Sequence, residues 1–105
     1  MMTLCIRYKF NPEKIADIAQ YFEEEQPVIE RCGGRIVGYF LPTDFAGPTN
    51  EASGLIDIPS LAAYEDYRKA LADDPEHKKN IARLEHSGAQ VAMNRAFIRR
   101  VEARR

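Results

Sequence analysis

The chain has 105 residues, enough for one domain with an adequate core. At 45% hydrophobic and 30% charged residues it has a globular rather than a disordered composition. A formal net charge of -1 gives no global attraction to nucleic acid or an anionic membrane, and no apolar run is long enough to span a bilayer.

The opening stretch MMTLCIRYKF lacks the basic and apolar regions of a cleaved secretion signal, so Cys5 and Cys32 are expected as reduced thiols in a cytoplasm. Thr3 to Phe10 alternates, with Leu4, Ile6, Tyr8 and Phe10 on one face and Cys5, Arg7 and Lys9 on the other, which predicts a strand. Asn11-Pro12-Glu13 then combines an N-cap, a first-turn proline and a first-turn acid, so a helix should begin at Pro12 or Glu13.

That helix carries Ile15, Ile18, Ala19, Phe22, Ile29 and Cys32 at helical spacing. Glu25 and Gln26 fall inside the same arc, and Pro27 should kink the helix just after them. The favoured expectation is that the kink turns both polar residues outward; the alternative is that they reach into a pocket beneath it. Cys32-Gly33-Gly34 ends the segment, with Gly33 suited to the left-handed position after a helix.

Arg35 to Pro42 and Ala52 to Ile58 read as two strands of a hairpin, joined by a long loop containing Gly47-Pro48 and Asn50. Ser60 caps a further helix with Leu61, Tyr64, Tyr67 or Arg68, and Leu71 in its stripe. Asp74-Pro75 restarts a helix that carries His77, Ile81 and Leu84 and closes at Gly88. Ala89 to Val101 is the last predicted strand, and its arginines suit an edge that resists sheet-to-sheet pairing. The order is the split βαβ arrangement of an α+β, ferredoxin-like βαββαβ fold: a four-stranded antiparallel sheet with helices on one face. Right-handed crossovers place the first and third strands at the centre. Both sheet faces contain apolar residues, so a second cover is needed, and a symmetric homodimer supplies it.

CIRYKF, GGRIVGYF, the AGPTNE loop leading into GLIDI, and SLAAYEDYRKALADDPEHKKNI together resemble the NIPSNAP family of the dimeric α+β barrel superfamily. The resemblance runs over nearly the whole chain and implies a dimeric barrel of two ferredoxin-like units. It also implies a superfamily that includes cofactor-free monooxygenases, isomerases, haem-degrading enzymes and stress proteins, so fold follows from it and function does not.

The residues nominated for a site are Arg7, Tyr39, Phe45, Tyr64 and His77. Arg7, on a rigid strand, could hold a carboxylate or enolate through its forked donors, or neutralise Asp57 or a helix acid. His77 could act as an acid or base, or stand as a plain helix histidine. Tyr39, Tyr64 and also Tyr67 could bind a ring or donate to an oxyanion, or fill the core. The loop Pro42–Asn50 is longer than hairpin loops usually are and carries Phe45, so it is expected to act as a lid over a cavity between sheet and helices, with Phe45 packing down over it or against the partner subunit. His77, His86, Cys5 and Cys32 match no zinc spacing, and no phosphate-cradling glycine run occurs, so no zinc, haem or flavin is expected. The aromatic segments of an RNA-recognition module are absent, so no nucleic-acid partner is expected. Three functions stay open: a small-molecule binding protein, a cofactor-free enzyme, and a structural or stress-related dimer.

Overall fold

Strand β1 spans Met2–Phe10 in the computed structural model, which describes residues 1–104. Leu4, Ile6, Tyr8 and Phe10 are buried toward the helices, while Arg7 and Lys9 are exposed on the other face. Asn11 caps the turn after β1, its side chain accepting from the Glu13 amide at 3.1 Å. Pro12–Lys14 forms a 3-10 turn, and helix α1 runs Ile15–Arg31. Strands β2 (Arg35–Phe40) and β3 (Glu51–Ile58) form the hairpin. Helix α2 (Leu61–Asp73) starts at Ser60, whose hydroxyl accepts from the Ala63 amide at 3.1 Å. Helix α3 (Pro75–Ser87) starts at Asp74 and stops at Gly88, whose φ of +69° is easy for glycine and strained for other residues. Strand β4 spans Gln90–Ile98.

The sheet order is β2-β3-β1-β4, antiparallel throughout, with β1 and β3 at the centre. This is the ferredoxin-like arrangement, with the three helices against one face. Strand β2 is shorter than expected, ending at Phe40, and β3 begins one residue earlier than expected, at Glu51, with the loop between them.

The pairing of β2 with β3 shifts register between Ile36 and Gly38. Ile36 faces Ile56 and Tyr39 faces Gly54, so Ile36 and Tyr39 lie on the same, helix-covered side although three residues apart. Gly54 makes this possible. A Cβ there would lie 2.6 Å from the Tyr39 ring, so only glycine lets that ring lie across β3. The core is then Leu4, Ile6, Tyr8 and Phe10 from β1, Ile18, Phe22, Val28 and Ile29 from α1, and Ile56 and Ile58 from β3. The molecule is 19 Å through its thin dimension, room for one sheet and one helical layer. The second sheet face is left without a cover among the described residues.

Candidate functional site

The buried stripe of α1 consists of Ile18, Tyr21, Phe22, Val28 and Ile29, and Glu25. Glu25 is only 2% exposed. Its expected outward turn does not occur, because α1 continues through Pro27 to Arg31 and the helical register holds. The carboxyl therefore stays on the stripe, where burial without partners would cost several kcal/mol.

Three side chains meet it. Tyr21, one turn earlier on α1, donates to Oε2 at 3.1 Å. His77 Nδ1 lies 2.5 Å from the same oxygen, and Asn80 Nδ2 donates to Oε1 at 3.2 Å. His77 and Asn80 are three apart on α3 and so share a face. The Asn80 carbonyl accepts from Arg83 at 3.4 Å, which fixes the direction of the amide. Arg83 also pairs with Glu24. Among the described residues no buried side-chain polar atom lacks a partner.

The start of α3 is held in register by its cap. Asp74 accepts from the Glu76 and His77 amides at 2.9 and 3.1 Å. Arg31, the last residue of α1, donates to both Asp74 oxygens at 2.9 and 2.8 Å and to Glu76 at 2.9 Å. The Arg31 guanidinium holds the Asp74 carboxyl down at about 2, with the capped amides adding to the effect. The clamp ties the end of α1 to the beginning of α3, which sets His77 beside Glu25.

A cavity of about 110 Å³ lies between sheet and helices here. Leu4, Ile6, Leu71 and Ile81 give it apolar walls, and Tyr8, Tyr39, Tyr67, Glu25 and His77 give it polar groups. Arg68 and Arg95, both exposed, also line it. Phe22 stacks at a tilt between Tyr8 and Tyr39, with centroid distances of 5.1 and 4.7 Å. Burial pushes the Tyr8 phenol up to about 12, and burial likewise raises Tyr21, Tyr39 and Tyr67. All four phenols therefore keep their protons through neutral pH and can donate.

The residues nominated from sequence are dispersed. Tyr39 and His77 both line this cavity. Tyr64 is half-buried beside it, edge-on to Phe97 at 4.9 Å, and is not among the lining residues. Arg7 lies on the opposite face of the sheet, in a separate open hollow of about 510 Å³ with Cys5, Lys9, Phe40, Glu51 and Asn94. It therefore does not share a pocket with Tyr39 and His77. Phe45 does not pack down over anything: it is 96% exposed, and residues 43–51 are all exposed. Within this chain the loop leaves the sheet after Phe40 and does not cover the cavity, which leaves the partner subunit as the surface Phe45 could pack against.

Tyr8, Tyr21, Asn80, Arg68 and Arg95 were not singled out by sequence for this site. The available signal was Glu25 itself, a carboxylate seven residues after Ile18 on the apolar stripe. A buried acid requires donors, and the polar residues of the facing helix, His77 and Asn80, are where they would be found. No group of three or more His, Cys, Asp or Glu among the described residues is placed to hold a metal ion.

The NIPSNAP family model matches residues 3–103. The chain belongs to the NIPSNAP family. A NIPSNAP-like domain protein from Burkholderia xenovorans, itself uncharacterised, is similar at 26% identity and a TM-score of 0.76, over 95% of this chain and 85% of that one. A NIPSNAP family protein from Agrobacterium tumefaciens is similar at 23% identity and a TM-score of 0.78, over 97% and 95% of the two chains. An antibiotic biosynthesis monooxygenase shares the fold at 13% identity and a TM-score of 0.65, over 97% and 100%. No match occurs among curated proteins. No helix of this NIPSNAP protein, among the described residues, is long and apolar enough to cross a membrane.

Proposed function

We propose that this NIPSNAP protein binds a small molecule in the cavity between sheet and helices and exchanges a proton with it through His77, using no metal. The observation that carries the reading is the 2.5 Å contact between His77 Nδ1 and the buried Glu25 carboxylate. With Glu25 ionised, Nδ1 carries the proton, the ring is fixed in orientation, and Nε2 is left as the basic nitrogen. Nε2 has no hydrogen-bond partner among the described residues. Tyr39 and Tyr8 hydrogen-bond each other, and Tyr67, kept protonated by burial on the same cavity, offers a donor to an oxygen of the ligand. Glu25 is a positioning residue in this scheme, and His77 is the group that meets the ligand.

The test has two stages. Small carboxylic acids, phenols and quinones are screened by thermal shift on the wild type and on Ile81→Trp, which fills the cavity from its half-buried rim. Compounds that raise the melting temperature of the wild type should lose that effect in the variant. Bound compounds are then followed by NMR in deuterated water. Deuterium should enter an acidic C–H position with the wild type and not with His77→Gln, which keeps a donor toward Glu25. Stabilisation that survives Ile81→Trp contradicts the binding site, and exchange that survives His77→Gln contradicts the role of His77.

The chain is read as one domain that pairs with a second copy through its uncovered sheet face. Phe40, 53% exposed, and Leu55 give that face apolar surface, and Arg7 and Lys9 give it charge. Free thiols at Cys5 and Cys32 support a cytoplasmic setting.

A further inference from the structure

We propose that the ligand of the sheet–helix cavity carries an anionic group, held at the opening by Arg68 and Arg95, with its apolar part directed inward. This rests on the reading of the cavity as the binding site and names the class of molecule it takes: a small apolar or aromatic acid.

Placement is the first support. Arg95 pairs with Ile6 across β1 and β4, so it projects from the helix-covered side of the sheet, in line with Ile6, Gly54 and Tyr39. A cation in that row is out of pattern, since Leu4, Ile6, Tyr8 and Met93 fill the neighbouring positions. Arg68 follows the buried Tyr67 on α2 and reaches the same cavity. The charge of Arg95 acts on the phenols of both Tyr8 and Tyr67, and that of Arg68 on Tyr67.

The second support is what these arginines lack. Arg31, Arg83 and Arg100 each hold a carboxylate of the protein. Arg68 and Arg95, like Arg7, Arg35 and Arg99, form no ion pair among the described residues, and of these unpaired arginines Arg68 and Arg95 are the ones that line the sheet–helix cavity. Both keep their forked donors for a carboxylate from outside, at the mouth of a cavity whose deeper walls are apolar.

The third support is polarity. Glu25 is the buried acid of the cavity, and a ligand anion driven toward it would meet a like charge. The arginines attract the same anion to the opening. The two effects give one orientation: acid outward, ring or chain inward, with His77 beside the body of the ligand rather than its charge.

The experiment uses matched probes, benzoate against benzamide and phenylacetate against phenylacetamide, titrated by calorimetry into the wild type, Arg95→Gln, Arg68→Gln and the double variant. Each acid should bind the wild type about tenfold or more tightly than its amide, the worth of a charged hydrogen bond. Each single variant should lose part of that preference and the double variant all of it, while amide binding stays constant. Raising the salt concentration should weaken only the acids. Equal binding of acid and amide, or an acid preference that survives in the double variant, overturns the anion proposal and leaves the cavity site standing. Amide binding that persists in Ile81→Trp, or binding of no probe at all, overturns the cavity reading and this proposal with it. Arg68 and Arg95 are exposed, so the variants should fold, and an unchanged melting temperature without ligand checks this.

Discussion

His77 Nδ1 on α3 lies 2.5 Å from Glu25 Oε2 on α1, joining two helices through a carboxylate that is almost wholly buried. A buried carboxylate held by an imidazole in this way is weak evidence for stability, because burying the carboxylate offsets much of what the contact returns. Removing His77 is different, since Glu25 is left buried with only Tyr21 and Asn80 to satisfy it. His77→Ala is expected to destabilise the fold by about 3 kcal/mol in urea unfolding, and Glu25→Ala by less, because His77 is partly exposed to water. The double variant Glu25→Leu with His77→Leu is expected to recover most of the loss. Recovery would show that the pair is kept for something other than stability; a double variant as unstable as the singles would show a structural role.

Asp74 gives a pH dependence with a definite sign. Its hydrogen bonds with Arg31 lower its carboxyl from an ordinary 3.8 to about 2 in the folded protein. The folded value is the lower one, so its contribution is complete above about pH 4 and is lost as pH falls toward 2. Asp74→Asn keeps a capping side chain but loses the charge. Unfolding curves of wild type and variant should differ above pH 4 and converge by pH 2. A constant difference across that window would mean that the Arg31 pairing contributes nothing.

Gly54→Ala tests the seat of Tyr39. The added Cβ would meet the Tyr39 ring at 2.6 Å, so the ring must move off β3. Overpacking of this kind costs about 1–3 kcal/mol. The loss should come with changed near-ultraviolet circular dichroism, because Tyr39 stacks on Phe22. An unchanged tyrosine spectrum would mean the ring is not held as described.

The order of elements was legible because its punctuation is local. Asn11, Ser60 and Asp74 were readable as caps, and each makes its capping bond. The site was less legible, for three reasons that can be named. Alternation along β2 fails at Val37, where the register shift puts Ile36 and Tyr39 on one side, so simple parity could not separate Tyr39 from Arg7. Pro27 suggested a kink, yet a proline inside α1 leaves Glu25 on the stripe, and burial of an acid depends on donors from α3, far along the chain. Phe45 suggested packing by its apolarity alone, and this ring, on a loop beyond the sheet, is covered by nothing among the described residues.

The uncovered sheet face leads to an expectation about assembly. Sedimentation equilibrium at micromolar concentration should give a dimer. Phe40→Asp, on the open face and half exposed, should shift the equilibrium toward monomer by at least tenfold, as loss of an apolar anchor does. A wild-type monomer would contradict pairing through this face.

The most direct test of the account is to map where a small acid binds. Backbone amide shifts of the isotope-labelled protein are followed by NMR as benzoate is titrated in. The account expects saturable changes at Tyr8, Glu25, Tyr39, Tyr67, His77 and Arg95, around the cavity between sheet and helices. Changes centred instead on Glu51, Ser53 and Asn94, about the open hollow that holds Arg7, would contradict it.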